Sequence, residues 1–136
     1  DRRLNPALEI HLTTPILFDG HLYAFSGRNE PDSLFRCVEL GTGKVKWSRD
    51  ERWRAYSTKQ PNVYGRGSAV LADGKLFVLG EGGLLGLFEA TPSKPVELGR
   101  HQVPELKYPC WTAPILSNKR MIVRSEDYLI CFELAK

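Results

Sequence analysis

One unit recurs three times along this chain and leaves little choice of architecture. Two short apolar runs flank a two-residue turn, and a third run follows. The first copy is Thr14-Pro15-Ile16-Leu17-Phe18, Asp19-Gly20, His21-Leu22-Tyr23-Ala24-Phe25. The second is Ser68-Ala69-Val70-Leu71-Ala72, Asp73-Gly74, Lys75-Leu76-Phe77-Val78-Leu79. The third is Thr112-Ala113-Pro114-Ile115-Leu116, Asn118-Lys119, Arg120-Met121-Ile122-Val123-Arg124. Asp-Gly between apolar runs signals a tight hairpin, because both turn residues need positive φ. The third copy lacks the glycine, so its turn is expected to be looser. Each hairpin precedes another run, at Leu34–Leu40, Leu85–Ala90 and Leu129–Leu134. A fourth run stands at Lys44–Trp47 and, more weakly, at Val96–Arg100. Asp19 to Asp73 is 54 residues, and Asp73 to Asn118 is 45. Four-strand units at such periods mean propeller blades. No segment sustains a 3.6-residue apolar period, so helices should be nearly absent.

The expected fold is therefore all-β: propeller blades of four antiparallel strands, about three blades in this chain. They fall near 13–48, 68–101 and 111–134 within a single unit, 1–136. The third has only three strands. Leu8-Glu9-Ile10-His11-Leu12 alternates and is expected as a closing strand that supplies the missing one. A closed propeller needs about four to eight blades, so three call for more. The implied partners are further blades, from a second copy or a longer chain. The chain opens on Asp1 rather than Met, as expected of a piece of a longer chain or of one trimmed upstream.

Composition adds exclusions. At 42% apolar the chain can build a core. Nineteen Lys and Arg against 16 Asp and Glu leave a charge of +3, small and spread out, so nucleic acid is not an expected partner. No apolar run approaches the ~18 residues of a membrane span. Three distant cysteines without a Cys-x-x-Cys pair argue against zinc and against a disulfide framework. Cys37 and Cys131 lie in apolar stretches and are expected to be buried. His11, His21 and His101 lack metal-ligand spacing. Glu81-Gly82-Gly83 reads as a hairpin turn, because no helix follows to make it a phosphate loop. No catalytic motif is present.

The most specific string is Cys37-Val38-Glu39-Leu40-Gly41-Thr42-Gly43-Lys44-Val45-Lys46-Trp47. Gly41 and Gly43 permit a tight turn with positive φ. Glu39 and Thr42 can hydrogen-bond turn amides, and Trp47 is projected from the outer strand onto a neighbouring sheet. The string resembles the tryptophan-docking motif of pyrroloquinoline-quinone-type propeller repeats. Cys37 stands for the motif's Ala and Glu39 for its Asp, while Thr42, Gly43, Lys44 and Trp47 match. The likeness covers roughly 13–134 and degrades where Thr91-Pro92-Ser93-Lys94-Pro95 replaces the second turn. It implies a bacterial, periplasmic or exported protein. Some members of the family are dehydrogenases that hold pyrroloquinoline quinone and calcium in the channel. Others are non-enzymatic scaffolds, such as the outer-membrane assembly lipoprotein. This chain lacks the adjacent cysteines and the acidic cluster of the first group, so the resemblance favours a scaffold without a cofactor. The alternatives are part of a quinone-dependent dehydrogenase, and purely structural blades.

Two surfaces are candidates for binding a protein, peptide or small ligand. Residues just before the innermost strands should line the channel mouth, which singles out Thr13, Arg66 and Trp111. The plainer reading is that they cap neighbouring blades. The long connection from Arg49 to Gly67 carries Arg52, Trp53 and Arg54, an Arg and aromatic mixture typical of binding hot spots. Its plainer reading is a cover over a blade edge, anchored by Trp53. Cys110, at the same rim, is expected to be structural.

Overall fold

A computed structural model of the chain describes residues 7–28, 32–53 and 63–134. Eleven strands form three antiparallel sheets, and no helix occurs among the described residues. Blade 1 is β1 (Ile16–Phe18), β2 (His21–Ser26), β3 (Leu34–Glu39) and β4 (Val45–Asp50). Blade 2 is β5 (Ser68–Ala72), β6 (Lys75–Leu79), β7 (Leu84–Glu89) and β8 (Glu97–Gln102). Blade 3 is β9 (Ile115–Ser117), β10 (Arg120–Arg124) and β11 (Leu129–Glu133). In each sheet the strands lie in chain order.

The hairpin turns follow from local chemistry. Asp19 and Gly20 take φ of 45° and 70°, and Asp73 and Gly74 take 49° and 66°. The third turn is not looser: Asn118 and Lys119 adopt the same left-handed pair, at 48° and 61°. The register Arg120↔Ser117 leaves only two residues to reverse the chain, so Lys119 accepts a conformation that costs a side chain about 1 kcal/mol. In the docking motif Gly43, at φ 70°, carries the turn, whereas Gly41 has no positive φ. Thr42 donates its hydroxyl to the Glu39 carboxylate, and the Gly43 amide donates to the Glu39 carbonyl at 2.8 Å. The Lys44 carbonyl accepts from the Glu39 amide at 2.9 Å, which closes the β3–β4 hairpin.

The blades stack through their faces. Tyr23, Phe25, Phe35, Cys37 and Trp47 of blade 1 share one apolar cluster with Leu76, Val78, Leu84 and Phe88 of blade 2. Trp47 is only 8% exposed, and its indole N–H donates to the Thr91 carbonyl of blade 2 at 2.9 Å. Phe35 meets the Trp47 and Phe88 rings edge-on, each at 5.3 Å. A second cluster joins Leu79 and Leu85 of blade 2 to Met121 and Val123 of blade 3, through Val103, Leu106 and Cys110 of the connection.

Two expectations are corrected. Residues 8–12 form no strand. Glu9 is instead tied to blade 1, its amide donating to Ser26 Oγ and its carbonyl accepting from Gly27, both at 2.9 Å. The Arg36 guanidinium adds a bond to the Ala7 carbonyl at 2.7 Å. The bonds to Ser26 and Gly27 take both backbone groups of Glu9, which a ladder would otherwise use. Cys131 is exposed, while Cys37 is buried as expected. Cys131 lies with Ile115, Ile122 and Leu129 on the face of blade 3 turned away from blade 2, and β11 is an edge strand.

Trp47→Ala removes a buried indole and its inter-blade hydrogen bond. The unfolding free energy from urea titration should fall by about 3 kcal/mol or more. A loss below about 1 kcal/mol would mean that the ring is not wedged between sheets.

Candidate functional site

The connections leading into blades 2 and 3 converge on one buried acid. Glu81, in the β6–β7 turn, is 1% exposed. Its amide donates to the Tyr64 carbonyl at 3.0 Å, and its carbonyl accepts from the Cys110 amide at 2.9 Å, so both connections hold its backbone. Its carboxylate receives the Arg66 amide at 2.9 Å, Arg66 Nε at 3.3 Å and the Trp111 indole N–H at 3.2 Å. Arg66 Nη2 lies 3.2 Å away, with its side chain 13% exposed. Gly65, at φ 63°, lets the chain wrap this carboxylate, because a Cβ there would meet Glu81 Oε1 at 2.6 Å. A buried carboxylate is tolerated when it is paired and hydrogen-bonded, and Glu81 is both.

Three aromatic rings run across this centre. Trp53 meets Tyr108 edge-on at 5.6 Å, and Tyr108 meets Trp111 edge-on at 5.8 Å. Trp53 is buried, yet Trp111 keeps 45% of its surface exposed. A pocket of about 140 Å³ beside it is lined by Pro109, Trp111, Thr112, Arg124, Ser125 and Glu126. His11 Nδ1 stands 3.4 Å from Arg66 Nη1 at the exposed edge.

The structure thus brings together Arg66, Trp111 and Trp53 of the residues singled out from sequence. Thr13 is half-buried, and among the described residues no hydrogen bond joins it to this group. Arg52 is exposed and turned to its neighbour Asp50, with contacts at 2.9 and 2.6 Å. Arg54 lies outside the described residues. The organising residue, Glu81, reads in sequence as an ordinary turn acid. The one signal in the chain was Glu-Gly-Gly itself, a turn that lets backbone approach closely. Cys110 is buried, and burial, helped by the charge of Glu81, pushes its thiol up to about 11. It is therefore a poor nucleophile near neutral pH.

The ends of the Arg49–Gly67 connection cover the seam between blades 1 and 2. Tyr64 is fully buried, its ring 5.6 Å from Phe88 and its hydroxyl donating to Glu97 Oε1 at 2.7 Å. Arg49 bridges Glu51 at 2.7 Å and Glu97 at 2.6 Å, and Arg100 pairs with Glu97 at 2.6 Å. Burial raises the Glu51 carboxyl above its ordinary value. Burial would also raise Glu97, but hydrogen bonds from Arg100, Tyr64 and Arg49 outweigh it and bring the group down to about 2. This network is a clamp between β4 and β8, with its charges already matched.

Among the described residues no three His, Cys, Asp or Glu side chains gather to hold a metal ion. Nor is any helix there long and apolar enough to cross a membrane.

Comparison with solved structures places the architecture. A europium-containing methanol dehydrogenase aligns over 88% of this chain and 22% of its own, with a TM-score of 0.58 and 16% identity. The quinohemoprotein alcohol dehydrogenase of Comamonas testosteroni aligns over 88% of this chain and 18% of its own, with a TM-score of 0.60 and 20% identity. The chain folds as blades of a quinoprotein-type propeller. It spans about a fifth of the length of those enzymes. At such identities the likeness concerns fold. No family model and no curated protein matches the sequence.

The clamp predicts an acid response. Glu97 has its folded pKa below the ordinary carboxylate value of 4.5, so its contribution to stability is present above that value and is lost as pH falls toward 2. Glu51 is shifted upward and acts in the opposite sense. Urea midpoints between pH 5 and 2.5 should fall more steeply for the parent chain than for Glu97→Gln. Parallel slopes would contradict the clamp.

Proposed function

We propose that the chain is part of a non-catalytic propeller scaffold that binds a protein or peptide at the channel mouth, around Trp111. The observation that carries this reading is a fixed yet exposed indole. Trp111 is held by the buried Glu81 carboxylate and by Tyr108, and still presents 45% of its surface. An aromatic group already immobilised loses little entropy on contact, and such residues dominate binding energy. Arg66 contributes from below, as the counter-charge that keeps Glu81 and hence Trp111 in place. Further blades complete the ring in this reading, from a longer chain or a second copy. The resemblance to exported scaffolds, the outer-membrane assembly lipoprotein among them, supports a periplasmic setting.

A second reading, part of a quinone-dependent dehydrogenase, draws support from the two neighbouring folds. In that reading residues outside the described ones complete the metal site.

Peptides selected from a random display library against the chain test the scaffold reading. Trp111→Ala should weaken the selected binders by about 30-fold, the cost of a hot-spot residue, while the circular dichroism spectrum stays unchanged. Binders indifferent to Trp111→Ala would refute it. A quinone absorbance band retained on the chain after adding pyrroloquinoline quinone and calcium would favour the dehydrogenase reading instead.

A further inference from the structure

Blades 1 and 2 are built on the same ladder, yet they differ at one decisive place. In blade 1 Tyr23 pairs with Cys37 and Cys37 with Trp47, and the ladder shifts register after Cys37. In blade 2 Phe77 pairs with Leu87 and Leu87 with Gly99, and the ladder shifts after Leu87. Gly99 therefore occupies in blade 2 the station of Trp47 in blade 1. The side chain that wedges the first pair of blades has no counterpart in the second.

The space it would fill is open. A notch of about 260 Å³ lies there, lined by Phe77, Leu85, Leu87, Gly99, His101 and Met121 among others. A Cβ built on Gly99 meets nothing within 4 Å, and its φ is not left-handed, so neither crowding nor backbone geometry demands glycine. An apolar cavity of about 150 Å³ already accommodates a benzene ring. The larger notch takes a bicycle. The thioether of Met121 favours an aromatic edge or face over a saturated one.

We infer that the notch at Gly99, between blades 2 and 3, is a binding site for a flat bicyclic aromatic group of the indole class, presented by a ligand in place of the missing tryptophan. Trp47 supplies the internal precedent, with the same strand station, the same inward face and a ring wedged between successive sheets. None of the six named lining residues belongs to the Trp111 surface, and the inference does not depend on it.

Met121 is the only methionine in the chain, so its labelled methyl gives a single carbon–proton resonance. Indole itself, titrated into the chain, is expected to shift that resonance saturably. In Gly99→Trp the shift should be lost and the melting temperature raised, because the variant side chain takes the site. Should that variant fail to fold, Gly99→Phe provides the same blockade with a smaller ring. Decahydro-2-naphthol, a saturated bicycle of comparable size and polarity that is not flat, should need at least tenfold higher concentration for an equal shift. The inference is overturned if indole leaves Met121 unmoved, if the shift survives a filled notch, or if the saturated bicycle is as effective as indole.

Discussion

The structure depends on a single kind of contact, a flat apolar face of one sheet laid on the next and fixed by an aromatic wedge. Trp47 is where this is most complete. Its ring is buried against Phe35 and Tyr23, and its N–H is satisfied by a carbonyl of the following blade. Burying an indole without a partner for its N–H would forfeit part of the hydrophobic gain, and the Thr91 carbonyl removes that cost. Blades 2 and 3 use smaller aliphatic contacts instead, around Leu79, Leu85, Met121 and Val123.

Around this wedge the connections do more than join strands. Tyr64, just before β5, packs between blades 1 and 2, so close over the β7 backbone that a Cβ on Gly86 would meet its hydroxyl at 2.1 Å. Arg49, Glu51, Glu97 and Arg100 then form a charged rim over an aromatic floor, with Arg49 lying 5.1 Å from the Phe88 ring centre. The Arg66–Glu81 pair plays the matching part where the connections into blades 2 and 3 meet. Both groups have their charges matched internally, so their value lies in fixing the path of the chain rather than in attracting a charged partner.

Much of this was legible from residue order. Strand identity and hairpin pairing followed from the two-residue turns and the short apolar runs, and the docking role of Trp47 followed from its motif. The fourth strand of blade 2 was faint because Leu98-Gly99-Arg100-His101 is mostly polar or small, as suits an outer strand with no wedge to present. Sequence could not reveal the role of Glu81, because its four partners, Tyr64, Arg66, Cys110 and Trp111, reach it from other positions along the chain. The exposure of Cys131 was hidden too: an apolar run marks a strand but does not say whether both faces are covered. The equality of Gly99 with Trp47 needed the register, since the turns before them differ in length.

The most direct test is hydrogen exchange at the Trp47 indole N–H, followed by NMR beside the backbone amides of β2 and β3. The account requires that proton to exchange as slowly as those amides, with a rate set by opening of both blades together. Exchange at the rate of a free indole, while β2 and β3 remain protected, would show that the sheets do not stack through this ring.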